Sequence, residues 1–273
     1  MSDPRQPPRI RGPFLLAVLA TVLPFAVLYL VRFGVLGLQW GSVAEDFEAF
    51  GYGQALQWRL GVQYMAFHLP MLLNNLVGGL ILGADPTIDA QDLSGWGIGF
   101  NLAVLGAVAG IAGWLSATRA IPPLVVLAVA AATAAMPSLV RHCAYWSPYM
   151  PYACLTMGAG LAAWPAISSG FRDRAAAAVA FGLLGLAFSC IVTAALPLAV
   201  LGGAFLAAGW RDLGAAPPPG GGHRVLTAAL AVALALCLCA VLAPATQMAY
   251  RLSGRLAVGV ALVWAATLLT LAL

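Results

Sequence analysis

The sequence predicts an all-α fold, a polytopic transmembrane helix bundle of about eight spans with a large external loop containing interfacial or re-entrant helices. Three observations point there. Of 273 residues, 62% are hydrophobic and 8% charged; a soluble domain is about half apolar and a quarter charged, so water is a poor solvent for this surface. Apolar stretches of about twenty residues, the length that spans a bilayer core, recur from Pro13 to Leu273 with short polar turns between them. The thirteen basic residues are all arginine and stand singly or in small groups beside these stretches. That placement orients helices in a bilayer, and the net charge of +4 therefore does not imply nucleic acid.

Residues 1–13 read as a cytoplasmic N-terminal tail and 14–273 as a single transmembrane domain. Arg5, Arg9 and Arg11 precede the first apolar run, 14–36, which is too long for a secretory signal and lacks a small-residue cleavage site. It is expected to be retained as the first span, with its basic flank in the cytoplasm. An external loop of about 37–96 follows and holds Glu45, Asp46, Glu48, Asp85, Asp89 and Asp92. Within it, 62–83 is apolar but flanked on both sides by acidic residues, and it contains His68, Pro70, Asn74 and Asn75, which are costly to expose to lipid. An interfacial or re-entrant segment fits it, with an ordinary pair of spans as the alternative. Leu56, Leu60, Tyr64 and Phe67, just before and within it, give a flat-lying helix one apolar stripe.

Further spans are expected at 97–116, 121–139, 146–167, 175–192, 195–210, 225–244 and 256–273, with a cytoplasmic linker at about 211–224 that includes the Pro-Gly run 217–222. The uncharged stretch Ala175 to Trp210 would make a rod of roughly 54 Å, so Pro197 is expected to break it into a hairpin. Arg119, Arg172, Arg174, Arg211 and Arg224 then fall inside with the N-terminal arginines, while Arg32, Arg59, Arg141, Arg251 and Arg255 fall outside or near that boundary. The cysteines Cys143, Cys154, Cys190, Cys237 and Cys239 have no Cys-x-x-Cys spacing and read as small apolar packing residues.

Two groups carry chemistry. Glu45, Asp46 and Glu48 place three carboxylates within four residues about ten positions beyond the first span. Mutual repulsion raises the pKa of one of such a set and leaves a base poised at the membrane surface; a merely well-hydrated external loop has the same composition. Two of them, with Asp85, Asp89 or Asp92, also offer oxygen ligands for a divalent cation, although no metal motif is spelled out. The second group is Arg141, His142 and Tyr145, on the same outer side between Pro137 and Pro148. Arginine there disobeys the positive-inside bias, and an anion such as phosphate is a reason for it; an interfacial anchor is the alternative, since Trp and Tyr collect at headgroup depth. Tyr149 and Tyr152 extend the aromatic set. His68 and His142 belong to no ligand-spaced pair, and no phosphate-binding loop, hydrolase elbow or zinc-protease motif is present.

The layout resembles the GT-C class of membrane glycosyltransferases, as a short or truncated member. The residues that carry the likeness are Glu45-Asp46 soon after the first helix, Phe67-His68-Leu69-Pro70 later in the external loop, Phe100-Asn101-Leu102 opening the second span, and Gly182 to Ala187 in the helical hairpin. The likeness extends from the first helix to about Pro244; His-Leu-Pro stands where members have His-Pro, and the hairpin lacks a basic residue. The resemblance implies a multi-pass membrane enzyme that moves sugar from a polyprenyl-phosphate donor to an acceptor on the outer face, and the absence of lysine with abundant alanine, glycine and arginine points to a GC-rich bacterial source and hence an inner membrane. It implies Asp46 as catalytic base with Glu45 beside it, Arg141 neutralising the leaving phosphate, and His142, Tyr145, His68, Arg59 and Glu48 as substrate contacts. Competing classes are a transporter or lipid flippase and a non-catalytic membrane subunit. Transport requires ionisable groups at mid-membrane depth, and the spans offer little beyond Thr133, Ser189 and Thr193.

Overall fold

The computed structural model describes residues 11–36, 72–144, 146–191 and 194–214. Among these residues the chain is helical, with no strand. Helix α1 is Arg11–Leu30 and runs on into a π-helical turn, Val31–Val35. There follow α2 (Leu72–Ala84), α3 (Ala90–Arg119), α4 (Pro123–Ala134), α5 (Pro137–His142), α6 (Tyr149–Ser168), α7 (Arg174–Cys190) and α8 (Ala195–Gly214).

The helix boundaries have local causes. Asp89 is extended, and its side chain accepts the Asp92 N–H at 2.8 Å, so α3 begins at Ala90, seven residues before the expected span. Pro122 and Pro137 precede or open α4 and α5, where a missing N–H costs nothing. Met136, held extended by the proline after it, splits the expected span 121–139 into α4 and the short α5. The α7–α8 break comes at the extended Ile191, not at Pro197, which lies in the first turn of α8 where proline is tolerated.

Helix α6 is the centre of the bundle. Twelve of its twenty residues are buried, between Met150 and Ala166, and it packs most extensively on α7 and α3, with Trp164 and Ile167 on its open face. Close approach depends on glycine, because a Cβ at Gly158 would lie 2.9 Å from Val108 Cγ1 and 3.0 Å from Leu183 Cδ1. Helix α1 instead lies at the edge, against α3 and α4. Only the stripe Ala17, Thr21, Phe25 and Leu28 is buried, while Leu15, Leu19, Leu23 and Leu30 are more than half exposed.

Those outward leucines suit hydrocarbon better than water. Among the described residues two stretches, Arg11–Val35 and Asp92–Arg119, are long and apolar enough to cross a membrane. Shorter apolar helical stretches occur in α4, α7 and α8. Helices occupy six of the eight expected positions, with crossing length reached in two; the expected spans 225–244 and 256–273 lie outside the described residues.

The two ends of the bundle differ. At the lower end α3 finishes and α7 starts, and Arg119 holds Asp173 through two hydrogen bonds, Nε to Oδ2 and Nη2 to Oδ1, the latter 2.9 Å. The guanidinium also covers the Trp114 ring at 4.9 Å. Asp173 further caps α7 by accepting the Ala176 N–H at 3.1 Å. At the upper end α1 finishes, α3 begins, and α5 turns the chain into α6.

Candidate functional site

The upper end gathers most of the buried polar side chains, Arg32, Ser94, Asn101, His142 and Ser147 among them. A helix leaves its last carbonyls without intrahelical partners, and α5 is so short that these carbonyls are much of its polar backbone. Side chains from α1 and α3 serve them. Arg32, in the π-helical turn and fully buried, donates from Nη1 to the Val140 carbonyl at 3.1 Å. Tyr29 Oη donates to the Cys143 carbonyl at 2.9 Å, and Asn101 Nδ2 donates to the same oxygen at 3.1 Å. A π turn widens the helix locally and is often found where a side chain must be re-aimed for function; here Arg32 is the residue it carries.

Arg141 and His142 follow Val140 directly and diverge. Arg141 is exposed, whereas His142 is 6% exposed and stacks on Tyr149 with ring centroids 4.5 Å apart. Burial, reinforced by the positive charges of Arg141 and Arg32, pushes the His142 pKa down to about 4. The imidazole is therefore neutral near pH 7, while Arg32 and Arg141 bring two guanidiniums to this corner. Such a corner is suited to an anion with several acceptor oxygens.

A second polar group lies along α3 and the chain leading into α6. Ser94 and Trp146 are buried, and Ser94 Oγ, Trp146 Nε1 and Asn101 Oδ1 have no hydrogen-bond partner. Trp146 packs with Leu82, Ile88 and Leu93, and its ring lies 5.5 Å from Phe100. On α2, Asn74 is fully buried with both amide atoms unpartnered.

Of the residues singled out from sequence, Arg141 and His142 fall at this corner. Glu45, Asp46, Glu48, Arg59, His68 and Tyr145 lie outside the described residues. Asp85 and Asp89, considered as cation ligands, accept hydrogen bonds from residues close by in sequence. Asp85 accepts the Thr87 N–H at 3.0 Å and its hydroxyl at 2.6 Å, bonds that hold its carboxyl below the usual range, and Asp89 caps α3. Among the described residues no three His, Cys, Asp or Glu side chains come together to hold a metal ion. Cys143, Cys154 and Cys190 are buried free thiols, in keeping with a packing role.

Sequence reasoning missed Arg32, Tyr29, Ser94 and Trp146. A signal for Arg32 was available, since it lies within the apolar run 14–36 rather than beyond it, and an arginine inside a span is expensive. Comparison with family models, curated proteins and solved structures gives no match for this chain.

Proposed function

We propose that the chain is a multi-pass protein of a bacterial inner membrane, with its N-terminus in the cytoplasm, that moves a sugar from a polyprenyl-phosphate donor to an acceptor at the outer face. The observation that carries this reading is the pair of guanidiniums at the last turn of α5, Arg32 buried and Arg141 exposed. A cation held inside an apolar bundle is costly and points first to function, and a polyprenyl phosphate leaving with its bonding electron pair is a dianionic group that such cations stabilise. The acidic segment starts close by along the chain, since Asp46 follows Leu36 by ten positions, a tether of at most about 36 Å.

In this reading the Asp46 carboxylate accepts the proton of the acceptor hydroxyl as that oxygen attacks the anomeric carbon. The bond from that carbon to the phosphate oxygen breaks, and its electrons leave with the phosphate. Glu45 and Glu48, by repulsion, keep Asp46 basic enough to act. Arg141 meets the phosphate from the solvent side, with His142, Tyr145, His68, Arg59 and Glu48 as further contacts.

Transport is less well supported. Two hydroxyls deeper in the bundle are used locally, Thr21 on the Ala17 carbonyl and Thr133 on the Val129 carbonyl, both at 2.8 Å; Thr156 Oγ1 on α6 is buried without a partner but carries no charge. Among the described residues, buried Arg32 and His142 both stand at the upper end and mark a surface site rather than a pathway.

The test is reconstitution of the purified protein with labelled polyprenyl-phosphate sugars. Asp46→Asn should abolish transfer and leave membrane insertion unchanged. Undiminished transfer by that variant rejects the assignment. Donor binding without turnover by the wild type identifies a non-catalytic subunit, and lipid crossing the bilayer without sugar transfer identifies a flippase.

A further inference from the structure

The buried stripe of α3 changes character along its length. From the lower end it is apolar, through Leu115, Ala112, Val108 and Leu105, and it then becomes Asn101 and, two turns further, Ser94. Both are at most 1% exposed. Trp146 stands beside this part of the helix, with its ring against Phe100 and within the cluster that contains Leu93. Ser94 Oγ, Asn101 Oδ1 and Trp146 Nε1 are each buried without a partner. Protein interiors rarely leave such atoms unpaired, so a concentration of them along two turns of one helix calls for a ligand.

The donor set indicates which ligand. It offers a hydroxyl that gives and accepts, an amide oxygen that accepts, an indole N–H that donates, and two aromatic faces, with no charge among them. A neutral, hydroxyl-rich ring matches it, because its hydroxyls both give and accept hydrogen bonds and its C–H face lies well on an aromatic surface. Asn101 ties this group to the charged corner, since its amide nitrogen holds Cys143 three positions from the Val140 carbonyl that holds Arg32. Phosphate and sugar of one molecule thus find cations and neutral polar groups in adjacent places.

We infer that Ser94, Asn101 and Trp146 form the subsite for the neutral glycosyl group of the lipid-linked donor, an inference that rests on the functional reading above. Leu82 of α2 packs in the same cluster as Trp146, with Val77 and Ile81 against it, so α2 borders the subsite on the Trp146 side.

The experiment measures binding of full-length protein, in lipid nanodiscs, to polyprenyl phosphates carrying glucose, mannose, galactose or arabinose and to the unglycosylated lipid. Ser94→Ala and Trp146→Phe are compared with wild type; the first removes one hydroxyl and keeps the packing, and the second removes the indole N–H together with the five-membered part of the ring. Wild type should bind at least one sugar-bearing lipid more tightly than the bare lipid. Each variant should lose about three- to tenfold of that preference, the effect of one hydrogen bond, with affinity for the bare lipid within about twofold of wild type. Wild type that binds bare and glycosylated lipids equally overturns the inference and leaves the phosphate-binding reading standing. Variants that keep the full preference, or weaken both classes of lipid alike, also overturn it, and mark these atoms as partners of buried water. Failure of wild type to bind any of the lipids overturns the functional reading, and the subsite with it.

Discussion

Tyr29 on α1 and Asn101 on α3 donate to one acceptor, the Cys143 carbonyl, at 2.9 and 3.1 Å. Two helices distant in sequence thereby hold the turn that presents Arg141. Tyr29→Phe should cost about 1 kcal/mol, because Asn101 still satisfies the carbonyl. Asn101→Leu should cost somewhat more. The double variant should cost more than the sum by roughly 0.5–2 kcal/mol, since only then is the oxygen orphaned. Thermal unfolding of the four proteins in detergent tests this, and strict additivity would mean the two bonds act independently.

His142 makes the same corner sensitive to acid. Its folded pKa is pushed down to about 4, against an ordinary 6.5. Below pH 6.5 the unfolded chain takes up a proton that the folded one refuses, so stability present above that pH is lost as pH falls toward 4. The loss is on the order of 2–3 kcal/mol. His142→Gln should flatten the decline in melting temperature over that window. Arg141→Gln should change it little, because burial is the larger cause.

At the lower end, hydrogen bonds from Arg119 and from the Ala176 N–H hold the Asp173 carboxyl below the usual carboxylate range. Its contribution is complete above about pH 4 and is lost as pH falls through the lowered value. Asn can keep the cap but not the charge. Asp173→Asn should therefore cost about 0.5–1 kcal/mol, the scale of a partly exposed pair, and Asp173→Ala about 1 kcal/mol more through loss of the cap. Equal losses in chemical denaturation of the two variants would show that the cap contributes nothing.

Gly158 and Gly160 are neighbours on α6 with opposite surroundings. A methyl at Gly158 would meet Val108 and Leu183, whereas one at Gly160 meets nothing within 4 Å. Gly158→Ala should destabilise by about 1–3 kcal/mol by forcing α6 from α3 and α7. Gly160→Ala should be neutral or stabilise by about 0.5–1 kcal/mol, as expected in a helix interior. A pair of melting curves decides it.

Among the described residues two non-glycines carry positive φ, Ala120 at 54° and Phe171 at 64°. Ala120 is the exposed C-cap of α3, so Ala120→Gly should stabilise by about 1 kcal/mol. Phe171→Gly relieves the same strain but removes a ring packed edge-on against Phe205 at 5.1 Å. It should destabilise by about 2–4 kcal/mol. Opposite signs in the two melting shifts are the expected result.

Much of the helical layout was legible in the sequence, because apolar run length is set by the physics of burial and proline marks breaks locally. Pro137 carried a break that the length of run 121–139 concealed, and Pro197 suggested one that the backbone places at Ile191. Arg141 was visible as an arginine on the wrong side of a charge bias. Arg32 was marked only by its cost inside the apolar run 14–36, and an arginine near the end of such a run looks the same whether it reaches water or turns inward. The distinction lies in Val140, more than a hundred residues away. The sharing of Cys143 O is long-range in the same way, and pattern along one helix does not encode it.

Helix α4 has twelve residues, a rise of only about 18 Å. Its outward Leu124 and Val125 are apolar, so in a bilayer this flank is too short for a hydrocarbon layer of about 30 Å, and the leaflet beside it must thin to meet the protein. Headgroups, and the polar ends of long-chain amphiphiles, are drawn inward along such a flank.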